Sequence, residues 1–243
     1  ELSMKIQEKL GADIIFAFDE CTSPLDSYDY TKKAMERTHR WAKKCLTAKT
    51  RDDQLIFGII QGGRFKDLRI KSAKFIGSLP FDGFGIGGSF GKEEMAKMLK
   101  WVIPHLPEEK PRHLLGIGRI EDIFNAVEQG IDLFDCVIPT REARHGRIWT
   151  AKGHYDILKS KYTNNNFPLE TSCKCESCKK ITKAKLRELF KSGQPIQQAR
   201  GQRWATIHNV WFFNNLLENI RKSIAKNKFK EFKRRFLAKR PAH

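Results

Sequence analysis

An α/β fold of the barrel type, with a smaller cysteine-bearing segment towards the C-terminus, is what this sequence predicts, on three observations. Through the first 140 residues, short apolar runs of strand length alternate with stretches of helical period, the pattern of parallel βαβ units. Residues that do not belong in a core (Asp19, Gln61, Gly87, Gly88, Gly116 and Asp135) fall at or just beyond the C-terminal ends of successive runs. In a closed barrel those ends converge on one mouth, whereas an open sheet strings them along an edge. After about Gly146 the character changes, and three of the six cysteines stand within six residues.

The elements follow in order. Residues 3–10 read as a short helix closed by Gly11, a residue type favoured just past a helix end. Residues 13–18 form the first apolar run. Residues 30–48 place Ala34, Thr38, Trp41 and Cys45 on one helical stripe, with lysines and arginines opposite. The second run is 55–60, a helix follows over 65–76, and 83–88 is a glycine-rich strand end. Met95, Met98, Leu99 and Val102 mark a helix that Pro104 stops. Residues 113–117 are strand-like, and 120–129 are helical with Ile123, Phe124 and Val127 inward. Residues 133–138 are the fifth run. Beyond these, 147–150 and 155–158 pair as a short hairpin. A helix covers 183–191, and a long helix starts at about Asn209 and runs into a basic tail.

Charge separates the two parts. Of 46 basic and 28 acidic side chains, residues 1–140 hold 21 of each, so the whole +18 excess lies in the last 103 of 243 residues. A one-sided basic footprint favours a polyanionic partner, nucleic acid first and an anionic membrane surface second. No apolar run approaches the roughly 20 residues that span a bilayer, and no charged-then-apolar leader is present. A cytoplasmic protein without a membrane partner is the expectation, and its cysteines are thiols or metal ligands rather than a disulfide framework.

Cys173, Cys175 and Cys178 form a C-x-C-x-x-C cluster. Three thiolates suit a tetrahedral ion of borderline softness and call for a fourth ligand. His208, 30 residues beyond Cys178 at the start of the expected helix, is the first candidate, and His154 is its rival. Four protein ligands close the site, so one zinc per chain is expected in a structural role.

The strand-end residues carry the remaining chemistry. Phe18-Asp19-Glu20 and Phe134-Asp135-Cys136 each place a carboxylate at a strand end. Gly58-Ile-Ile-Gln61-Gly-Gly adds an amide, and Gly85-Ile-Gly87-Gly88 exposes backbone N–H groups to close approach. The glycine segment has neither the Lys-Ser/Thr of a phosphate loop nor dinucleotide spacing. Two carboxylates with an amide suit displacement at a glycosidic carbon: one attacks the anomeric centre, and the other bonds the N–H edge of a purine. Asp135 is followed by Arg141, Arg144 and Arg147, an arginine cluster suited to RNA phosphates and unpaired bases.

These segments, with Leu-Leu115-Gly-Ile-Gly, Asp135-Cys-Val-Ile-Pro-Thr-Arg141 and His208-Asn209, resemble the tRNA-guanine transglycosylase family over nearly the whole chain. The resemblance implies an eight-stranded β/α barrel with a zinc-binding insertion near the C-terminus. It implies exchange of the wobble guanine of certain tRNA anticodons for a 7-deazaguanine, through a covalent aspartyl-ribosyl-tRNA intermediate, by a homodimer. Carried over by position, Asp135 is the nucleophile and Asp19 the acid that recognises the base edge. Gln61 and Gly88 bind the heterocycle, and Leu115 and Gly116 line the opposite side of the pocket. Arg141 and Arg144 contact the anticodon loop, and Cys173, Cys175, Cys178 and His208 hold zinc. Gly91 stands where bacterial members carry Val; the added space points to queuine rather than 7-aminomethyl-7-deazaguanine.

The family's Asp-Ser-Gly-Gly segment, proposed to supply a general base, has no counterpart here. The barrel is therefore expected to be incomplete at its N-terminus, with five strands and a candidate sixth at 204–207. The expected division is a partial barrel with the base pocket over 1–145, a zinc-binding subdomain over 146–208, and a final helix with a basic tail over 209–243. The alternative is a non-catalytic tRNA-binding subunit or an inactive fragment of such an enzyme.

Overall fold

The apolar runs of the first half pair side by side into one parallel sheet. The computed structural model describes residues 1–88 and 94–240, which fall into two units, Glu1–Cys136 and Val137–His243. In the first unit, α1 (Leu2–Leu10) ends on Gly11, whose φ of 72° is the left-handed conformation that glycine adopts without strain. Then follow β1 (Ile14–Phe16), α2 (Tyr28–Ala48), β2 (Leu55–Ile60), α3 (Lys66–Gly77) and β3 (Gly83–Ile86). The unit closes with α4 (Met95–Val102), β4 (Arg112–Leu114), α5 (Ile120–Glu128) and β5 (Leu133–Phe134).

The strand order is β1-β2-β3-β4-β5, each parallel to the next. A doubly wound sheet reverses its order at a switch point; this one does not, and it curls as a half-barrel. Helix α2 packs on α3, α3 on α4, and α4 on α5, so the crossovers share one face. Between helices and sheet lies a core that includes Ile15, Ile56, Ile60, Phe84, Ile86 and Leu114 from the strands, with Ala42, Ala73, Ile76, Leu99 and Val102 from the helices. On the other face, Phe57 and Phe16 meet edge-on with centroids 5.6 Å apart. The glycines of β3 make room for them: a Cβ on Gly83 would lie 2.5 Å from the Phe57 ring.

His39 on α2 is buried against this assembly. Its ring stacks on Phe75 at 4.2 Å, and Nε2 meets the Ser72 hydroxyl at 3.0 Å. Burial, with Lys71 adding repulsion, holds its pKa down from 6.5 to about 4. A depressed folded-state value contributes stability above pH 6.5 that is lost as pH falls through 4. The unfolding free energy should drop across that window by at most about 3 kcal/mol. Denaturant titrations of His39→Gln should show a flatter acid limb; an identical slope in the variant would remove His39 as its cause.

The second unit contains α6 (Ile138–Arg144), β6 (Arg147–Thr150), β7 (Gly153–Asp156), α7 (Glu176–Lys180), α8 (Lys183–Lys191), α9 (Pro195–Ala225) and α10 (Phe229–Leu237). Strands β6 and β7 form an antiparallel hairpin as expected, but the second strand is Gly153–Asp156 rather than 155–158. Its core gathers Ala143, Ile148, Ile157, Leu169, Leu186 and Ala205. The C-terminal Arg240 lies over the Trp149 ring at 5.3 Å and donates Nη1–H to the Thr150 carbonyl at 3.0 Å.

Three further expectations change. The fifth run shortens to Leu133–Phe134, because Ile138-Pro139 opens α6 and proline suits a first helical turn. The candidate sixth strand at 204–207 is helical. The long helix begins at Pro195 rather than near Asn209. Gly201 weakens the helical signal there, and its missing side chain lets Phe190 and Leu189 of α8 approach, within 3.2 Å of where a Cβ would stand.

Candidate active site and metal centre

Each strand of the first unit delivers one element of the candidate site from its C-terminal end. Asp19 follows β1, Gln61 follows β2, Gly87 and Gly88 follow β3, Leu115 and Gly116 follow β4, and Asp135 follows β5.

Two adjacent carboxylates compete after β1, and the fold separates them. Glu20 is taken up by Arg37 in an ion pair and by the Tyr30 hydroxyl at 2.9 Å. Asp19 instead accepts the Gln61 Nε2–H at 2.6 Å. Burial raises the Asp19 pKa, and the Gln61 bond opposes that rise. A half-buried carboxylate raised in this way can hold or release a proton at the edge of a heterocycle. Gln61 is 2% exposed, and its Oε1 has no partner among the described residues. An unbonded buried carbonyl is costly and calls for a donor, which the N–H edge of a bound ligand can supply.

The Gly87-Gly88 backbone lies against that amide. A Cβ on Gly87 would stand 2.9 Å from Gln61 Nε2 and 3.5 Å from Leu115 Cδ1. A Cβ on Gly88 would stand 2.6 Å from Arg69 Nη2 and 3.0 Å from Gln61 Oε1. Gly88 also has φ +97°, which L side chains rarely adopt. Gly88→Ala should therefore cost about 1–3 kcal/mol of stability, from backbone strain and the displaced Gln61 amide. Denaturant unfolding of the variant checks this, and an unchanged stability would show that the strand end absorbs the side chain.

Asp135 is exposed, with 58% of its side chain accessible. One oxygen, Oδ1, accepts from His113 Nε2 at 2.9 Å and from the Gly116 backbone N–H at 3.0 Å. Oδ2 has no hydrogen bond among the described residues. The φ of +74° at Gly116 turns its amide onto the carboxylate. The result is a carboxylate held by one oxygen with the other unbonded among the described residues. His113 was not among the residues expected from sequence. Its signal was a polar residue on the interior face of β4, where its ring meets Phe16 at 5.5 Å. Arg69 and Ser72, also unexpected, are polar residues on the buried stripe of α3. Gly91 lies outside the described residues.

The second unit carries the other candidates. Arg141 and Arg144 are exposed on α6 and make no ion pair among the described residues. Arg141 lines a cavity of about 290 Å³ with Glu142, His145, Arg147 and Asp156.

The cysteine cluster closes onto α9. The ligand atoms of Cys173, Cys175, Cys178 and His208 all lie within 4.8 Å of one another. His208 Nδ1 is 3.7, 3.5 and 3.4 Å from the three sulfurs in turn. Tetrahedral zinc with ordinary Zn–S and Zn–N bonds sets that separation at about 3.6 Å, so the donor set fits the ion in chemistry and in size. His208 Nε2 faces the Trp149 carbonyl at 2.8 Å, which fixes the tautomer and leaves the Nδ1 lone pair for a metal. The neighbouring Asn209 braces this carbonyl's strand. Its Oδ1 accepts from Trp149 N at 3.0 Å, and its amide donates to Pro139 and Arg147 carbonyls at 3.1 and 2.9 Å. His154 is not in the cluster; it packs on Trp149 at 5.2 Å.

A barrel-type parallel sheet with carboxylates at its strand ends, in a chain that also carries a Cys3His cluster able to hold a metal ion, defines the class as a β/α protein of the barrel type. The family model for queuine tRNA-ribosyltransferase matches residues 1–242. A provisionally named queuine tRNA-ribosyltransferase of Archaeoglobus fulgidus is 49% identical over 97% of this chain and 60% of its own length. Queuine tRNA-ribosyltransferases of Herpetosiphon aurantiacus and Halothermothrix orenii are 46% and 43% identical, over 96% and 98% of this chain and 59% and 64% of theirs. The chain belongs to the queuine tRNA-ribosyltransferase family, and it spans about 60% of the length of these curated relatives. No described helix is long and apolar enough to cross a membrane.

Proposed function

We propose that this protein is a tRNA-guanine transglycosylase, exchanging the wobble guanine of target tRNAs for a 7-deazaguanine. The observation that carries this reading is the Asp135 carboxylate. It is anchored through Oδ1 and open at Oδ2, and it lies at the same end of the sheet as the Asp19–Gln61 pair and the Gly87-Gly88 backbone.

The residues divide the reaction as follows. Asp135 Oδ2 attacks C1′ of the target ribose; the new O–C1′ bond forms as the C1′–N9 bond breaks, and its electron pair leaves on the purine, which takes a proton from water. The incoming base loses its N9 proton and displaces the carboxylate, so no proton is gained or lost overall. A covalent route divides one difficult displacement into two easier ones. Asp19 and Gln61 bind the hydrogen-bonding edge of the base, Gly88 offers its backbone N–H, and Leu115 and Gly116 cover the opposite side.

Arg141 and Arg144 contact the anticodon loop, and the basic second half of the chain supplies phosphate contacts. Cys173, Cys175, Cys178 and His208 hold one zinc ion, which supplies a cross-link rather than reaction chemistry. The test is incubation of the full-length protein with tRNA and labelled guanine. Label in the tRNA supports the reading, and tRNA binding without any incorporation favours a non-catalytic tRNA-binding subunit.

A further inference from the structure

Helix α3 sends two polar side chains into the interior one turn apart, Arg69 and Ser72, and neither has any exposed surface. Arg69 donates Nε–H to the Gly63 carbonyl at 2.7 Å and Nη1–H to the carbonyls of Ile60 and Gly87 at 3.2 and 2.6 Å. Ser72 Oγ accepts the backbone N–H of Gln61 at 3.2 Å. Three backbone groups between Ile60 and Gly63 are thus fixed by side chains of α3. The same guanidinium reaches across to the end of β3 and holds the peptide next to Gly88. It lies directly beneath that residue, as the 2.6 Å separation between Nη2 and a Cβ on Gly88 shows.

Burial pushes the Arg69 pKa down to about 10, so it remains a cation at neutral pH. Enclosing a cation is unfavourable, and an apolar side chain of similar size would fill the space without that cost. What the apolar side chain lacks is a rigid planar fork of donors that can hold two strand ends at one fixed spacing.

We propose that Arg69, assisted by Ser72, is a positioning residue for purine recognition. It sets the distance between the Gln61 amide after β2 and the Gly88 backbone after β3, and so the spacing of the two groups that meet the edge of the base. The inference rests on the reading of Gln61 and Gly88 as base-binding. Small errors in such spacing weaken binding and rate steeply. Lysine keeps the charge but cannot span three carbonyls in one plane, so Arg69→Lys should not restore the geometry. Ser72→Ala removes the hydroxyl that accepts from the Gln61 N–H and meets His39 Nε2, and leaves the helix backbone intact.

The experiment measures KM for free guanine, kcat, the dissociation constant for tRNA and the melting temperature. The proteins are full-length wild type, Arg69→Lys, Ser72→Ala and Gln61→Ala. Arg69→Lys should raise KM for guanine about tenfold and Ser72→Ala about threefold. The tRNA dissociation constant should stay within about twofold of wild type, because phosphate contacts carry most of that affinity. A merely structural role would lower the melting temperature and the active fraction without moving KM. Should Gln61→Ala raise KM while the folded Arg69→Lys and Ser72→Ala variants leave it unchanged, the positioning role is overturned. If Gln61→Ala itself leaves KM unchanged, the base-pocket reading fails, and the positioning role fails with it. Ser72→Ala alone decides the matter if Arg69→Lys does not fold.

Discussion

Asp135→Asn should abolish incorporation of labelled guanine into tRNA, with kcat down at least about a thousandfold, because an amide oxygen is a far weaker nucleophile than a carboxylate. The substitution keeps the shape of the side chain. Oδ1 can still accept from His113 Nε2 and the Gly116 N–H, so the fold and the strand-end loops should be unchanged. Affinity for tRNA should also persist, since the exposed arginines of α6 and the rest of the basic second unit are untouched. The expected signature is therefore lost turnover with retained binding. Incorporation at the wild-type rate would refute the assignment of the nucleophile, and lost binding would show that Asp135 shapes the tRNA contact instead.

Removing the metal should be the largest perturbation of the second unit. Apparent binding free energies of about 10–16 kcal/mol are typical of four-ligand structural zinc near neutral pH, comparable to the total stability of an ordinary domain. The cluster joins the loop before α7 and α7 itself to the middle of α9, and His208 is tied in turn to Trp149 on β6. Cys175→Ser or a strong chelator should lower the melting temperature of this unit by more than about 10 °C. Metal analysis of protein purified without added zinc should give one zinc per chain. His208→Ala should lose that metal and His154→Ala should keep it, because His154 packs on Trp149 outside the cluster. Retained metal in His208→Ala would contradict the ligand assignment.

Much of the fold was legible because the residues that specify it are local. Residues 55–60 and 183–191 appear with the predicted bounds, since an unbroken apolar run and a single amphipathic helix each carry their own period. The strand-end placement of Asp19, Gln61, Gly88 and Asp135 was legible for the same reason. Asp19 and Gln61 stand immediately after an apolar run, Gly88 closes one and Asp135 falls within the fifth, and the strand order then brings the runs side by side.

What sequence did not show depends on tertiary partners. Helix α9 starts at Pro195 although Gly201 interrupts its pattern, because α8 packs at that glycine. Residues 204–207 combine apolar and β-branched types that read equally as a short strand, and only their packing on the second core makes them helical. Glu20 and Asp19 are adjacent and chemically alike, and nothing local tells them apart. The Arg37 and Tyr30 side chains, 17 and 10 positions away, select Asp19 by occupying its neighbour. His113 and Arg69 were missed because their roles depend on backbone and carboxylate groups from other strands.

The central claim is that Asp135 forms a bond to the ribose of tRNA, and trapping that bond tests it most directly. Full-length protein incubated with tRNA should give a protein–RNA adduct that survives denaturation. After nuclease and protease digestion, mass spectrometry should place the nucleotide remnant on the peptide containing Asp135, and free guanine should disperse the adduct before denaturation. An adduct on any other residue, or one that persists in Asp135→Asn, would contradict the account.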